Sequence, residues 1–248
     1  MTQHRVLIAY LLALVLVQTL FAAFPGIDLA VSGLFATEGR GFDWVYGMAP
    51  TINLVIRRVG EALTFLLFAA FLVGLFTGKL RGSDLRLLAY PLLCVTLACG
   101  AIVNLLLKTH VGRARPDTLV EFGGTARFTP PWQVVDECAR NCSFTSGEVA
   151  MAASLAIPAL VILWPHLNRD RARLVAILLA TAYVAITALY RIGLGRHFLS
   201  DAVYSVMFSA GAALALYPLL RIERARRTLP VLGPRKPVPE LAEQRGVY

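Results

Sequence analysis

The chain is short of charge and of the residues that build metal or redox centres. Only 16% of its 248 residues are Asp, Glu, Lys or Arg, whereas soluble domains carry about 25%. Apolar residues reach 57%, against about 45–50% in a soluble domain. That balance excludes an ordinary water-soluble globule. It also excludes a disordered chain, which needs low hydrophobicity and high charge. Histidine is scarce as well: the four stand apart at positions 4, 110, 166 and 197, beside only four Cys. So scattered a set does not form a metal-ligand array of the usual kind, and neither a metal nor another cofactor is expected. An internal repeat and a Gly-rich phosphate loop are also missing.

Apolar length and positive charge are present in excess. Six stretches, Val6–Phe24, Gly60–Gly78, Leu87–Leu107, Phe144–Trp164, Leu174–Tyr190 and Ala202–Leu220, approach the about 20 residues a helix needs to cross a bilayer. None holds Lys, Arg or Asp in its middle, and the acids Glu61 and Glu148 lie near segment ends. The first stretch follows Arg5 and ends near Ala22-Ala23, as a signal peptide does. Its 19-residue apolar run exceeds an h-region of about 7–15, so it reads as an uncleaved helix. The expected fold is all-α: an integral-membrane bundle of six transmembrane helices over residues 1–220, then a basic, Pro-containing tail over 221–248.

Lys and Arg in short loops mark the cytoplasmic side. With the N-terminus inside, the inner loops Lys79–Arg86 and Pro165–Arg173 each carry three basic residues. The tail adds seven, against Glu223, Glu240 and Glu243. Much of the formal net charge of +9 is therefore topology, and both termini are expected in the cytoplasm of a bacterial inner membrane. The basic start of the tail also suits lipid headgroups, although topology alone accounts for it. On the opposite side Lys108, Arg113, Arg115, Arg127, Arg140, Arg191 and Arg196 run against the rule. An anionic substrate at the outer, periplasmic boundary is the economical reason. Nucleic acid is not expected as a partner, because the positive charge is split between two membrane faces.

Among the outer loops, Pro25–Val59 carries Trp44 and Tyr46 as interfacial anchors and is expected to lay a short amphipathic segment on the membrane surface. Cys94 and Cys99 suit packing inside the third helix. Cys138 and Cys142 permit a small disulfide ring in an oxidising compartment, without the spacing deciding it.

Counting crossings brings three clusters to this one face: Lys108-Thr109-His110-Val111-Gly112-Arg113-Ala114-Arg115-Pro116, Cys142-Ser143-Phe144-Thr145-Ser146-Gly147-Glu148, and Arg191 through Asp201. Guanidinium groups grip phosphate oxygens with a planar fork, and Lys supplies a point charge. Ser146 and Gly147 open a helix, whose free N–H groups and dipole favour an anion. His197 and Asp201, four apart, share a face if helical. Asp201 then keeps one ring nitrogen protonated and leaves the other free to attack. Phosphoryl transfer demands positioning and the stabilisation of spread negative charge, and these clusters offer both.

The clusters resemble the signature of the type 2 phosphatidic acid phosphatase superfamily, Lys-x6-Arg-Pro, Pro-Ser-Gly-His and Ser-Arg-x5-His-x3-Asp. Lys108, Arg115 and Pro116 match the first in full. Arg191, His197 and Asp201 match the third, with Tyr190 in place of its leading Ser. The second is kept only at Ser146 and Gly147, with Thr145 for Pro and Glu148 for His. The resemblance implies a metal-independent phosphatase that forms a phosphohistidine on His197, oriented by Asp201. It assigns phosphate binding to Lys108, Arg115, Ser146, Gly147 and Arg191. In the family the second-motif His protonates the leaving oxygen. Here that role falls to Glu148, provided it carries a proton. Otherwise Glu148 organises Arg residues and the substrate supplies the proton.

A site at the boundary implies an amphiphile with an exposed phosphate: lipid A, phosphatidylglycerol phosphate, phosphatidate or undecaprenyl pyrophosphate. The Glu-containing second motif is similar to that of some bacterial lipid A phosphatases, and Arg113, Arg127, Arg140 and Arg196 suit a headgroup with several negative charges. Two alternatives carry the same residues. One is a lipid phosphotransferase with the same intermediate; the other is an inactive lipid-phosphate-binding or transport protein.

Overall fold

Inside a bilayer, backbone polar groups must be satisfied within their own segment, which forces apolar spans into helices. The computed structural model describes residues 3–38 and 40–229. Arg235, Lys236, Glu240, Glu243 and Arg245 of the tail lie outside the described residues. Helix α1 (Gln3–Ala23) leads to a short α2 (Gly26–Gly33). Two short antiparallel strands follow, β1 (Ala36–Thr37) and β2 (Gly41–Phe42), with Ala36 opposite Phe42 and Thr37 opposite Gly41. A 3-10 turn, Asp43–Tyr46, precedes α3 (Ala49–Thr77). Next come α4 (Gly82–His110), α5 (Gly147–Leu163), α6 (Asp170–Gly193), α7 (Leu199–Leu219) and a short α8 (Ile222–Arg226). Among the described residues six helices, α1 and α3 to α7, are long and apolar enough to cross a membrane. The protein is an all-α, multi-pass membrane bundle.

Several boundaries differ from the sequence expectation. Helix α3 starts at Ala49 rather than Gly60, because Arg57 and Arg58, which interrupt the apolar run, both pair with Glu61 at 2.7 Å one turn away. Helix α4 extends beyond Leu87–Leu107 at both ends and winds as a π-helix over Val95–Leu107. Helix α5 begins at Gly147, leaving Phe144 to Ser146 as buried, non-helical chain. The loop after α1 does not lie flat on the surface. Its helix α2 buries Asp28 and Ser32, and Trp44 packs against Phe35 and Tyr190 with ring centroids 5.1 and 5.2 Å apart. Only Tyr46 stays exposed as an anchor would. The first tail residues fold back onto the bundle: Ile222 and Ala225 are buried beside Tyr90 and Leu216, and the Arg226 carbonyl meets His166 Nε2 at 2.7 Å.

Small residues hold the centre together. Without a hydrophobic force between helices in lipid, membrane helices associate by close backbone approach and polar contacts. Helix α5 buries Ala150, Ala152, Ala153 and Ser154, and α7 buries Ser205, Ser209, Ala212 and Ala213. Ser209 Oγ donates to the Ala150 carbonyl at 3.0 Å and Ser205 Oγ to the Ser146 carbonyl at 2.9 Å. Large apolar side chains such as Leu16, Phe65 and Leu179 instead point outward from α1, α3 and α6, where a bilayer receives them.

All the loops that follow α1, α4 and α6 meet at one end. Phe42 closes on Phe122 and on Gly195, where a Cβ would stand 2.5 Å from its ring. Gly112, with φ of +66°, lets the chain after α4 run beside Val135, whose N–H donates to the Val111 carbonyl at 3.0 Å. A Cβ at Gly112 would lie 1.8 Å from the Val135 carbonyl oxygen. Gly78 has a similar φ of +65° but open space around it. Gly78→Ala is therefore expected to cost only the left-handed strain of about 1–2 kcal/mol. Gly112→Ala must also displace backbone, and thermal unfolding in detergent should show a clearly larger drop for it. Equal drops for the two variants would contradict this packing.

Candidate active site

His197 sits in the five-residue turn, Leu194 to Phe198, between α6 and α7. Gly195 adopts φ of +66°, and the N–H groups of Arg196 and His197 both donate to the Arg191 carbonyl, at 3.0 and 3.2 Å. The turn thus locks the imidazole to the residue that carries the neighbouring guanidinium. Asp201 lies in the first turn of α7 and caps it, accepting from the Phe198 N–H at 2.9 Å. The expected shared helix face is therefore not what brings the pair together, since His197 precedes α7. The ring instead donates from Nδ1 to the Ser143 carbonyl at 2.7 Å, and Asp201 Oδ2 stands 3.6 Å from the same nitrogen. Ser143 Oγ in turn donates to Asp201 Oδ2 at 2.5 Å. Ser143 lies inside the second cluster, but the sequence gives no role to it.

His197 is almost wholly buried, and this pushes its pKa down to about 3, with Arg191 and Lys108 acting in the same sense against Asp201. The imidazole is neutral at physiological pH. Because Nδ1 donates its proton, Nε2 carries the free lone pair, and Nε2 makes no hydrogen bond among the described residues.

Ser146 is the N-cap position of α5, in extended conformation, and Gly147 is the first helical residue. The opening N–H groups of a helix have no partner within it. A side chain at Gly147 would press on Asn104, 3.0 Å from an added Cβ. Around this helix end Thr145 Oγ1, Ser146 Oγ, Glu148 Oε2 and Arg191 Nε are buried without a hydrogen-bond partner among the described residues. Buried polar atoms in native proteins are rarely left unpaired; the two hydroxyls and the Arg191 N–H are donors open to a ligand's oxygens, whereas Glu148 Oε2 is an acceptor without a donor. Glu148 Oε1 meets Arg191 Nη1 at 3.2 Å.

Lys108 and Arg115 converge on Asn141. Lys108 Nζ donates to its side-chain oxygen at 3.4 Å, and Arg115 donates twice to its carbonyl, at 3.1 and 2.7 Å. Asn141 has φ of +51° inside the ring closed by the Cys138–Cys142 disulfide, whose Cα atoms are 5.6 Å apart. Burial first, and Arg196 next, hold Arg115 below its ordinary pKa; it stays charged, and an anion is the natural relief.

The other outer cations divide. Arg127, Arg140 and Arg196 are exposed, with Arg196 bound to Asp117 at 3.0 Å. Arg113 does not face a headgroup as expected. It is completely buried, pairing with Asp28 at 2.8 Å and Asp201 at 2.7 Å, because two buried carboxylates need a counter-charge there. Nothing in the sequence links Asp28 to this cluster 85 residues away. Among the described residues no three His, Cys, Asp or Glu side chains gather as metal ligands do.

The model of the PAP2 superfamily matches residues 89–224. Curated relatives include a lipid A 4'-phosphatase of Rhizobium leguminosarum, 34% identical over 84% of this chain and 93% of its own length. A lipid A 4'-phosphatase of Francisella tularensis subsp. novicida is 26% identical over 81% of this chain and 89% of its own. Another, from Rhizobium etli, is 28% identical over 84% of each chain. No solved structure matches significantly. More than half of the chain, including every motif residue from Lys108 to Asp201, falls inside the superfamily match. The protein belongs to the PAP2 superfamily and is a membrane lipid phosphatase of that type, a phosphoric monoester hydrolase.

Proposed function

We propose that the protein removes a phosphate monoester from a lipid A-type glycolipid at the periplasmic face of the bacterial inner membrane, through a phosphohistidine on His197. The observation that carries this reading is the cluster of unpartnered buried atoms on Thr145, Ser146 and Arg191, beside a neutral imidazole with a free Nε2. The names of the curated relatives and the exposed Arg127, Arg140 and Arg196 support a headgroup with several negative charges. An even number of crossings and the basic loops Lys79–Arg86 and Pro165–Arg173 support a cytoplasmic position for both termini. Residues 1–220 then form the catalytic unit and 221–248 an inner tail.

In the first step Nε2 attacks phosphorus and the ester P–O bond breaks. Lys108, Arg115, Arg191 and the N–H groups at Gly147 stabilise charge on the non-bridging oxygens. The ring becomes cationic on phosphorylation, and the Asp201 carboxylate at 3.6 Å offsets that charge while the Ser143 carbonyl keeps Nδ1–H in place. Glu148 Oε1 steadies Arg191, and Oε2, which has no donor of its own, carries the proton handed to the leaving alkoxide. In the second step water attacks phosphorus, its proton returns to Glu148, and inorganic phosphate leaves with His197 restored.

Purified protein in detergent, incubated with lipid A, phosphatidate, phosphatidylglycerol phosphate and undecaprenyl pyrophosphate, tests the reading by mass spectrometry of every lipid. The expected result is loss of one phosphate from lipid A with inorganic phosphate released, and none with His197→Ala. Phosphate recovered on a second lipid would make the protein a phosphotransferase. Wild-type protein that acts on no lipid, or His197→Ala with full turnover, would overturn the proposal.

Glu148→Gln separates the two roles of Glu148, since the amide keeps an oxygen for Arg191 but has no acidic proton. Loss of general acid catalysis is expected to lower kcat by about 10²–10⁴-fold on an alkyl phosphate. An aryl phosphate, whose leaving group needs no proton, should lose far less. Equal losses on both would show that Glu148 only organises Arg191.

A further inference from the structure

We infer that Asp28 and Arg113 are positioning residues for the phosphoryl transfer, an inference that rests on His197 being the nucleophile. Arg113 has nothing to offer a substrate. Its Nη2 donates to Asp28 at 2.8 Å, its Nη1 to Asp201 at 2.7 Å and Ser200 Oγ at 2.9 Å, and its Nε to the Thr129 carbonyl at 2.9 Å. The guanidinium also stacks over Phe198, 4.1 Å from the ring centre. Every donor direction but one is taken and no part of the side chain is exposed. Its partner Asp28 reaches from α2 to the start of α7, where it accepts from Ser200 N at 2.8 Å and from Ser200 Oγ at 2.5 Å. The first turn of α7 is therefore gripped at Ser200 by Asp28 and at Asp201 by Arg113. Asp201 in turn holds Ser143, and the Ser143 carbonyl holds the imidazole.

A purely stabilising purpose fits this arrangement poorly. Taking two carboxylates and a guanidinium out of water is costly, and well-packed apolar residues of similar volume are often as stable or more so. A planar fork that joins two carboxylates does what apolar packing does not: it fixes the angle and distance of one carboxylate relative to a fixed point. Here the fixed point is α2, in a segment before the superfamily match, so the loop after the first span becomes part of the catalytic apparatus. A displacement of about 1 Å in a reacting geometry can cost on the order of 10²-fold in rate. Asp28 makes its hydrogen bonds and ion pair with Arg113 and Ser200 and none with the proposed phosphate-binding groups at Lys108, Arg115, Ser146 and Arg191, so substrate binding should be spared.

The test is steady-state kinetics on the monodisperse, folded fraction of Asp28→Asn, Asp28→Glu and Arg113→Lys, with thermal unfolding of each and with His197→Ala alongside. The expected result is a kcat lowered about 10- to 100-fold with KM unchanged. It should include Asp28→Glu, which keeps the charge but moves it by one methylene. A merely structural role predicts lower yield and stability with wild-type kcat per folded molecule, and that outcome in either Asp28 variant would overturn the inference. A variant recovered only as unfolded protein counts for the structural role. If His197→Ala keeps its turnover, the nucleophile reading fails. If it is inactive while Asp28→Asn and Asp28→Glu turn over at the wild-type rate, only the positioning inference fails.

Discussion

The hydrogen bond from His197 Nδ1 to the Ser143 carbonyl, 2.7 Å long, joins two segments 54 residues apart. One is the buried, non-helical chain before α5; the other is the turn before α7. Almost every other feature of the site serves to hold these segments still. Asp201 closes the triangle by accepting from Ser143 Oγ and from the Phe198 N–H. The small-residue contact of α5 with α7, through Ser205 to the Ser146 carbonyl, fixes the helix end proposed to receive the phosphate. With the proton committed to Nδ1, the imidazole is left with one reactive nitrogen, and burial keeps that nitrogen unprotonated.

Electrostatics completes the design from the opposite side. Lys108, Arg115 and Arg191 gather next to a neutral ring, and several polar atoms at the start of α5 remain unpartnered. Such a site is poorly satisfied as it stands, and a phosphate in the proposed position supplies the missing partners. Asn141 engages Lys108 and Arg115, held in its left-handed conformation within the small disulfide ring. Asp201 stands 3.6 Å from His197 Nδ1, where the proposed mechanism has it offset a developing imidazolium, and Arg113 pairs with both Asp201 and Asp28.

Much of this was legible in the chain. Six apolar runs bounded by basic loops gave the bundle, and crossing arithmetic alone brought Lys108, Ser146 and His197 to one end. The residues that escaped did so for identifiable reasons. Arg57, Arg58 and Glu61 mask the start of α3 because i,i+3 and i,i+4 pairing makes charge tolerable in a helix where a hydropathy count sees only interruption. The π-helical turns before Lys108 leave no pattern that a period of 3.6 would register. Asp28 and Arg113 are ordinary loop charges until tertiary contacts bury them together, and Ser143 works mainly through its backbone carbonyl, which no side-chain pattern reports. Asp201 was rightly placed near His197, but by the geometry of a turn and a helix cap rather than by a common helix face.

The central claim is covalent chemistry at His197, and trapping the intermediate tests it most directly. Lipid substrate labelled in its phosphate, mixed with protein and quenched in alkali within the first turnovers, should leave label on a peptide containing His197. The bond should survive base and be lost in acid, as a phosphorus–nitrogen bond is. Label on another residue, or none on protein while phosphate is released at full rate, would contradict the account.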